Sequence, residues 1–427
     1  MVASVDEELV DLTGVSRVAA IGDLVSVETS SSSTIVGSVV RISPERTTVL
    51  AHDSRGLRLG QYLYLRGPAT IRPDASWLGS TVDALGRKIS GPGNWRLGAD
   101  RVVVEHQGSR PEIKGAESWS AVGTGVKALD LFTPICRGQR IGIFAGSGVG
   151  KSTLLNMIVE RASCDVAVVA LVGERRREVA DFLALTSPTI LQKSICVVAT
   201  SDEPALMRSI SPLTAITVAE HFRRQGLNVL LVIDSLTRFA HAVREILLAG
   251  GAAPVARGYP AGVAGHMARL VERAGPDPAS GGAITGVFSV LVDGDDHNDP
   301  VADAARGFLD GHIVLDRAIA ERTQYPPVDI LKSISRLADR ALSAHQRTLA
   351  THARKLIASY EGTRDLRAIG AYQRGFDPFA DSAVEIVPRI YDFLNEAPGS
   401  PRDTDPFAGL ARILGAPFAM PPGKGPA

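Results

Sequence analysis

The chain has 427 residues, which is too long for one hydrophobic core and predicts two or three domains. Its 46 Lys and Arg residues balance 46 Asp and Glu residues, which argues against the broad positive field of a general nucleic-acid-binding protein. Cys136, Cys164 and Cys196 show no metal-type spacing and indicate buried thiols in a reducing cytosol. The acidic N-terminus argues against a signal peptide, and no apolar run approaches the ~20 residues needed to span a membrane, so a soluble protein is expected.

The first part of the chain, residues 1–95, is predicted to be a small β-barrel domain followed by a linker. Between Gly22 and Pro92, short strand-like runs alternate with clusters of Ser, Gly, Pro and Asp, a spacing typical of a barrel or a sandwich. The runs are LVSVETS, TIVGSVVRI, TTVLAHD and QYLYLRG. The Gly- and Pro-rich stretch LGRKISGPGNW is predicted to be the linker.

The middle part, residues 96–345, is predicted to be an α/β domain. Between Val102 and Leu337, unbroken apolar runs alternate with helical segments, such as the segment from Pro204 to Gly226. Such runs are typical of a mostly parallel sheet that is covered by helices on both faces. The runs are RIGIFA, DVAVVALVG, SICVVATS, NVLLVID and GVFSVLVDG.

The last part, residues 346–427, is predicted to be a helical domain with a disordered tail. Two segments at its start and centre repeat apolar residues at helical spacing. These residues are Leu342, Leu349, Leu356 and Tyr360 in the first segment and Ala383, Ile386, Val387, Ile390, Phe393 and Leu394 in the second. The chain then becomes rich in Pro and Gly, and the end, APFAMPPGKGPA, is predicted to be disordered.

A phosphate-binding loop is the strongest functional signal in the sequence. It lies between the run RIGIFA and a helical segment, and its residues are Ala145, Gly146, Ser147, Gly148, Val149, Gly150, Lys151, Ser152 and Thr153. The glycines let successive backbone N–H groups point at phosphate oxygens, and the positive end of the following helix adds to this attraction. Lys151 is therefore expected to reach the terminal phosphates of a nucleoside triphosphate, and the Ser152 hydroxyl is expected to ligate Mg²⁺.

Two carboxylates follow later strands. Asp234 closes the run NVLLVID and is expected to hold the hydrated Mg²⁺ through water. Glu174 follows the run DVAVVALVG and is expected at the same carboxyl edge of the sheet, where ligands bind in such folds. Glu174 would accept a hydrogen bond from the attacking water, which Arg175 would help to position. From the residues alone, an ordinary ion pair within the exposed run ERRRE is an equal alternative.

Six motifs in a fixed order resemble the rotary-type ATPase family, which contains the catalytic subunits of F-type ATP synthases and their homohexameric relatives. The motifs are FAGSGVGKSTLL, LVGERRREV, LLVIDSLTRFAHAVREI, ARGYPAGVAGHMARLVERAG, VLVDGDDHNDPVADAARGFLDGHIVLDR and YPPVDILKSISRLA. Within this family the chain most resembles the branch of flagellum-specific ATPases of the type III protein export apparatus. The resemblance spans residues 20–395 and implies a RecA-like phosphate-loop core between an N-terminal small β-barrel and a C-terminal helical domain.

The resemblance also implies roles for single residues. Glu174 matches the catalytic glutamate of the GER motif, and Arg336, in SISR, matches the arginine finger that acts in the site of the neighbouring subunit. Tyr325 matches the aromatic residue that stacks on adenine, and Tyr372 would lie on the other side of the base. Because such a site lies between two subunits, an isolated monomer would be nearly inactive.

Other positions are placed less directly by the resemblance. Arg238 and Glu178 would lie near Mg²⁺ and phosphate, behind the direct ligands. An acidic run would shape a loop facing the central channel and would not bind metal; it contains Asp293, Asp295, Asp296 and Asp299. Two departures from the family pattern, Arg176 in place of Gly and GYPAGVAGHMARL in place of GYPPSVF, remove no catalytic group. The short N-terminal extension leaves little of the amphipathic helix by which relatives bind a regulatory partner.

The implied function is hydrolysis of Mg-ATP by a homohexameric ring in the cytoplasm, peripheral to the inner membrane beneath the gate of a type III export apparatus. The implied partners are further copies of the chain, a coiled-coil stalk in the central channel and a stator-like regulatory protein at the N-terminus. Export chaperones with their cargo and the membrane proteins of the export gate complete the set. No nucleic-acid partner is expected.

Three alternatives remain open at this point. The motifs also suit the ATPase of a virulence or symbiosis injectisome, or a β subunit like that of ATP synthase. A ring-shaped nucleic-acid motor would need a basic and aromatic surface in the barrel, where Tyr62, Tyr64 and Trp77 occur with few basic residues. A subunit that binds ATP without hydrolysing it is disfavoured, because Glu174 is present where non-catalytic α subunits carry Gln.

Overall fold

The computed structural model describes residues 1–28, 33–52, 54, 56–104, 120–292 and 299–415. Its first part is a six-stranded antiparallel sheet made of β1 (Val2–Asp6), β2 (Leu9–Leu12), β3 (Leu24–Glu28), β4 (Ser33–Ile42), β5 (Thr47–Ala51) and β6 (Tyr64–Gly67). The strand order is β1-β2-β5-β4-β3-β6, with every neighbouring pair antiparallel. The four strand-like runs predicted in this region are therefore confirmed.

The two ends of this sheet approach each other. Val2 in β1 accepts a backbone hydrogen bond from Gly60 and donates one to Gln61, both 2.9 Å long, just before β6 begins. The sheet encloses its own hydrophobic core, in which Val10 and Leu12 are buried. The residues before Gly22 thus belong to the barrel, and the prediction of an extension preceding it is wrong.

The remaining described strands follow in chain order. They are β7 (Thr70–Ile71), β8 (Ser80–Asp83), β9 (Lys88–Ser90), β10 (Val102–Val103), β11 (Ala121–Val122), β12 (Ile135–Cys136), β13 (Arg140–Ala145), β14 (Val166–Glu174), β15 (Ser194–Thr200), β16 (Asn228–Asp234), β17 (Gly275–Pro276), β18 (Ala283–Leu291), β19 (Gly311–Leu315) and β20 (Ile334–Ser335). Pairs β7–β10 and β11–β12 form two small antiparallel sheets.

The large sheet has the order β20-β19-β13-β18-β16-β14-β15-β8-β9, with β17 added beside β18. Strands β19 to β8 in this order are parallel, while β9, β17 and β20 are antiparallel to their neighbours. The Asp83 carboxylate accepts hydrogen bonds from the backbone of Leu85 and Arg87, and Gly86 has φ +71°, which turns the chain from β8 into β9. Part of the predicted linker is therefore a strand of this sheet. The domain limits near residues 95 and 345 stay predictions.

Strand β14 illustrates why unbroken apolar runs form this sheet. All nine of its residues are buried, and they alternate between two hydrophobic cores, one on each face. Val168, Ala170 and Val172 belong to one core, whereas Ala167 and Val169 belong to the other. A strand covered by helices on both faces has no solvated side, so it carries no polar alternation.

The described helices cover this sheet and form the C-terminal part. They are α1 (Lys127–Phe132), α2 (Lys151–Arg161), α3 (Arg176–Leu185), α4 (Pro188–Gln192), α5 (Ala205–Arg223), α6 (Leu236–Ala249), α7 (Gly262–Glu272), α8 (Pro300–Phe308), α9 (Arg317–Glu321), α10 (Ala338–Ala341), α11 (Ala344–Gly362), α12 (Arg364–Ala368), α13 (Pro378–Leu394) and α14 (Pro406–Leu414). None of the described helices is long and apolar enough to cross a membrane.

The C-terminal helices share a hydrophobic core with α1 and α2 of the large domain. Leu349 and Leu356 of α11 and Val387 and Ile390 of α13 are buried there, as the helical spacing predicted. Helix α14 also contributes, through Leu410, although the Pro- and Gly-rich sequence after Leu394 did not predict a helix. The tail predicted to be disordered, 416–427, lies outside the described residues.

Candidate functional site

The phosphate loop connects β13 to α2 at the carboxyl edge of the large sheet. Gly148 and Gly150 have φ values of +76° and +112°, which L side chains rarely adopt, so the loop needs glycine at both positions. Gly150 is the residue before the first turn of α2, in which Lys151 is buried. Ser152 and Thr153 are exposed in the same turn, so their hydroxyl groups are accessible to a ligand.

Lys151 and Asp234 meet at the base of this loop. The Lys151 ammonium donates a hydrogen bond to Asp234 Oδ1, and the same oxygen accepts one of 2.6 Å from the Ser289 hydroxyl. Lys151 Nζ also lies 3.8 Å from Glu174 Oε1. Because the side chains of all these residues are buried, each charge is balanced within the site. The predicted proximity of Lys151, Asp234 and Glu174 is thus seen directly in the structure.

The sequence analysis missed Ser289. This residue lies on β18, is completely buried and binds the carboxylate at the end of the neighbouring strand, β16. A single hydroxyl residue inside the apolar run GVFSVLVDG was the available signal, because a buried hydroxyl needs a hydrogen-bond partner.

Glu174 ends β14 inside the site. Burial raises the pKa of Glu174 to about 8, and its hydrogen bond with Glu178 and the charge of Asp234 act in the same direction. The same hydrogen bond lowers the pKa of Glu178, which lies exposed in the first turn of α3. Of the two carboxyl groups, Glu174 is therefore the one whose neutral form is favoured. Arg175, between them in the chain, is exposed.

Arg238 holds the end of β14 from the neighbouring helix, α6. Its guanidinium donates to the Gly173 carbonyl and, over 3.3 Å, to Glu174 Oε2. Gly173 has φ +64°, and a Cβ at this position would lie 3.0 Å from the Arg238 side chain. Among the described residues, the buried Nε of Arg238 has no hydrogen-bond partner. Arg238 thus orients Glu174.

Tyr325 lines a cavity of about 270 Å³ between the large domain and the C-terminal helices. Its side chain is 43% exposed. Its loop lies alongside the phosphate loop, because a Cβ on Gly150 would lie 3.6 Å from Pro327. The cavity is lined by Tyr325, Pro326, Arg322, Ile319, Tyr391 and Asn395, among others. An aromatic side chain beside a phosphate loop is suited to stack on a nucleotide base.

Tyr372 lies elsewhere on the C-terminal part. Its hydroxyl donates a hydrogen bond of 2.7 Å to Asp381 in α13, and Tyr372 is not among the residues that line the Tyr325 cavity. The second aromatic residue of that cavity is Tyr391, whose hydroxyl donates to Glu361 over 2.8 Å. The contact of Tyr372 with the base stays a prediction.

Arg336 follows β20 at one edge of the large sheet and is exposed. Its backbone N–H donates to the Asp310 carbonyl, and Asp310 in turn binds Arg140, the first residue of β13. The phosphate loop begins at the other end of β13, which is about 17 Å away for a strand of this length. Within one copy of the chain, Arg336 and Lys151 therefore lie at opposite ends of the parallel strands.

The acidic run predicted to line a channel is only partly described. Asp299 caps α8, where its carboxylate accepts hydrogen bonds from the backbone of Val301 and Ala302. Asp293, Asp295 and Asp296 lie outside the described residues.

The fold and this site together define a phosphate-loop nucleoside triphosphatase. A parallel sheet ends in a glycine-rich loop, and a buried lysine and a strand-end aspartate meet beneath it. A carboxyl group with a raised pKa lies beside them. These are the parts that phosphoryl transfer to water requires.

Comparison with known proteins identifies the family. The family model "ATP synthase alpha/beta family, nucleotide-binding domain" matches residues 125–335, and the model "T3SS EscN ATPase C-terminal domain" matches residues 342–406. The chain is 47% identical to the flagellum-specific ATP synthase of Agrobacterium fabrum, over 94% of this chain and 85% of that protein. It is 48% identical to the protein of the same name from Rhizobium meliloti, over 95% and 86% of the two chains. This chain belongs to the ATP synthase alpha/beta family and is an ATPase.

A solved structure supports the same conclusion. The assembled ATPase EscN from the type III secretion system of enteropathogenic E. coli matches with a TM-score of 0.89 and 36% identity. The match covers 97% of this chain and 99% of that chain. EscN in complex with its central stalk EscO matches with a TM-score of 0.87, at the same identity and coverage.

Proposed function

We propose that this ATPase drives or assists protein export in a flagellar type III export apparatus, working as a homohexameric ring. The names of the relatives at 47% and 48% identity support the flagellar assignment, whereas the injectisome ATPase EscN is 36% identical. EscN assembles, and its stalk complex supports a central stalk as a partner of this chain too.

The observation that carries the ring mechanism is the separation of Arg336 from Lys151 at opposite ends of the parallel strands. One copy would bind ATP with its phosphate loop, and the next would place Arg336 against the γ-phosphate. Developing charge on the transferred phosphoryl group would then be stabilised from both sides, and an arginine in this position is worth a factor of ~10³–10⁵ in rate.

Within the nucleotide-binding copy, Lys151 would bind the terminal phosphates and Tyr325 would stack on adenine. Glu174 would accept a proton from the attacking water, with Arg175 and Arg238 helping to position the groups around it. Tyr372 of the C-terminal part remains a second candidate for the base.

Mg²⁺ would be held at the same edge. The oxygen donors available to it are the exposed hydroxyl of Ser152, in the first turn of α2, and the Asp234 carboxylate, which would act through water. Hard oxygen donors at a phosphate loop fit Mg²⁺, which keeps most of its own water ligands. Glu178 would lie near these groups without binding Mg²⁺ directly. Bound Mg²⁺ would neutralise charge on the phosphates.

We further propose that the ring works in the cytoplasm at the inner membrane, with a stalk protein in its channel. A stator-like regulator at the N-terminus, export chaperones with cargo and the export-gate membrane proteins complete its partners. We propose no nucleic-acid partner.

The ring mechanism is tested by measuring ATPase activity per mole of chain while the protein is diluted from ring to monomer, with the assembly state followed by mass photometry. The specific activity should fall steeply as rings dissociate, because each site then loses the arginine of its neighbour. Constant specific activity down to a verified monomer would refute the mechanism. For the flagellar assignment, deletion of the gene should abolish motility and the secretion of flagellar subunits.

A further inference from the structure

The loop that carries Tyr325 is held from outside by the two residues that follow α13. The backbone N–H of Tyr325 donates a hydrogen bond of 3.0 Å to Asn395 Oδ1, and the Tyr325 carbonyl accepts one of 2.7 Å from the backbone N–H of Glu396. The Asn395 amide also donates to the Thr323 carbonyl over 3.4 Å. Both polar backbone groups of Tyr325 are therefore bound by residues that lie far away in the chain, Asn395 being 70 positions from Tyr325.

These two residues are themselves firmly anchored. Glu396 is 3% exposed, and its carboxylate accepts a hydrogen bond of 2.8 Å from the backbone N–H of Lys127 at the start of α1. It also lies 3.4 Å from Arg161, the last residue of α2, the helix whose first turn belongs to the phosphate loop. Arg161 binds the carbonyls of Ala397 and Pro398 as well, over 3.0 and 2.7 Å. The anchor of the Tyr325 loop is thus fixed to the same helix that presents the phosphate loop.

We propose that Asn395 is a positioning residue for the nucleotide base, acting through Tyr325. Asn395 lines the same cavity as Tyr325, but its side-chain hydrogen bonds go to the Tyr325 loop, so we assign its effect on the base to the orientation of the Tyr325 ring. Tyr325 is nearly half exposed and sits in a loop where Thr323 has φ +59°, so the ring is not fixed by burial alone. The inference rests on the proposed function, because it assumes that Tyr325 contacts adenine.

The side chain of Asn395 separates two roles that can be tested independently. Its oxygen serves Tyr325 and its nitrogen serves Thr323. Asn395→Asp keeps the acceptor for Tyr325 and removes the donor to Thr323, whereas Asn395→Ala removes both. A positioning role through Tyr325 predicts that only the alanine variant disturbs base binding.

The test measures steady-state ATP hydrolysis by assembled rings. Asn395→Ala should raise the KM for ATP about fivefold, as expected for one lost hydrogen bond, and should change kcat less than about twofold. Inorganic tripolyphosphate, a competitive inhibitor without a base, should show an unchanged inhibition constant, because the phosphate loop is intact. Asn395→Asp should restore the KM to near the wild-type value. The control is Gln225→Ala, in the exposed turn after α5, where the Gln225 amide contacts His221 and not the Tyr325 loop.

A double-mutant cycle with Tyr325→Ala makes the route of the effect explicit. Tyr325→Ala should raise the KM for ATP about tenfold or more through lost stacking, and adding Asn395→Ala should then have no further effect. Additive effects would overturn the proposal, and so would an unchanged KM in Asn395→Ala or an equal loss of affinity for tripolyphosphate. Asn395→Leu, which keeps the side-chain volume, replaces Asn395→Ala if the latter does not fold. If wild-type rings hydrolyse no ATP, the proposed function itself fails, which is a separate result.

Discussion

Charged side chains are buried and paired at one end of the parallel strands of the large sheet and exposed at the other end. At the carboxyl end, Lys151, Asp234 and Glu174 are each less than a tenth exposed, and Lys151 pairs with both carboxyl groups. At the amino end, Arg336 is exposed, and its guanidinium makes a 3.4 Å hydrogen bond to the Arg306 carbonyl. The first arrangement is organised before a ligand arrives. The second leaves a charged group solvated, which costs little until another molecule binds it. The difference fits the proposal that one chain supplies the nucleotide-binding part of the site and that a neighbouring copy supplies Arg336.

The largest effect on kcat is expected when the exposed Arg336 side chain is removed. Arg336→Ala should lower kcat by a factor of ~10³–10⁵, because the transition-state charge loses its partner from the adjacent copy. The affinity for ATP and the assembly of rings should change little, as measured by equilibrium binding of a fluorescent ADP analogue and by mass photometry. Arg306→Ala, next to it on α8, would be a poor control because Arg306 packs over Phe144; Arg347→Ala, on the exposed face of α11, is better matched.

Substitution of Glu174, in the buried part of the site, should lower kcat about one order of magnitude less than substitution of Arg336. Glu174→Gln removes the proton acceptor but keeps the shape of the side chain, and kcat should fall by ~10²–10⁴ while ATP stays bound. Undiminished turnover would exclude Glu174 as the base.

Mixing the two inactive proteins gives the sharpest test of the comparison. A ring containing Arg336→Ala and Glu174→Gln subunits has some interfaces in which an intact Glu174 faces an intact Arg336, so activity should reappear on mixing. No recovery in rings shown to be mixed would mean that both residues act within one chain.

A tenfold effect is expected from pH. Burial raises the pKa of Glu174 to about 8, so in the nucleotide-free enzyme this carboxyl group is mostly neutral at pH 7 and ionised above pH 8. If the ionised form is the active one, kcat/KM should rise with pH through a midpoint near pH 8 and level off above it, and well below the midpoint it should fall about tenfold per pH unit. Glu178→Ala removes a hydrogen bond that raises this pKa, and should therefore move the midpoint to lower pH. A midpoint at the ordinary pKa of a glutamate would contradict the assignment.

The smallest effect is expected from Ser333, which stabilises the edge of the large sheet next to Arg336. The Ser333 hydroxyl, completely buried just before β20, accepts a hydrogen bond of 3.0 Å from Val314 and donates one of 2.6 Å to Asp329. Ser333→Ala would leave the Val314 N–H unpaired and should lower the free energy of unfolding by about 1–3 kcal/mol in urea titrations. The exposed Ser382→Ala in α13 is the control and should change it by less than about 0.5 kcal/mol. Equal effects of the two substitutions would show that Ser333 does not support the edge.

Elements made of long apolar runs were predictable, and short polar ones were not. Strand β14 can be predicted from its unbroken apolar run, because a strand that is buried on both faces has no polar position. Strand β9 was missed because its three residues are all exposed, so neither hydrophobicity nor alternation marks them. Helix α14 was not predicted because it lies within a Pro-rich stretch, although Asp405 as its cap, Pro406 in its first turn and Gly415 after its end are usual signals of a helix start and end.

The candidate site divides in the same way. The phosphate loop could be identified from nine consecutive residues, because phosphate is bound by the backbone of one local turn. The contact between Ser289 and Asp234 could not be predicted, because it requires β18 to lie next to β16. The sequence of neither strand specifies the order of strands in the sheet.

By itself, the sequence determined the phosphate loop, the strand-end carboxylates and the alternation of strands and helices, since these depend on neighbouring residues and on local hydrophobicity. The tertiary structure alone decided that burial raises the pKa of Glu174 and that Asn395 holds Tyr325. It also decided that Arg336 and the phosphate loop of the same chain lie at opposite ends of the parallel strands. Each of these depends on segments far apart in sequence that meet only when the sheet is assembled and the C-terminal helices pack against it.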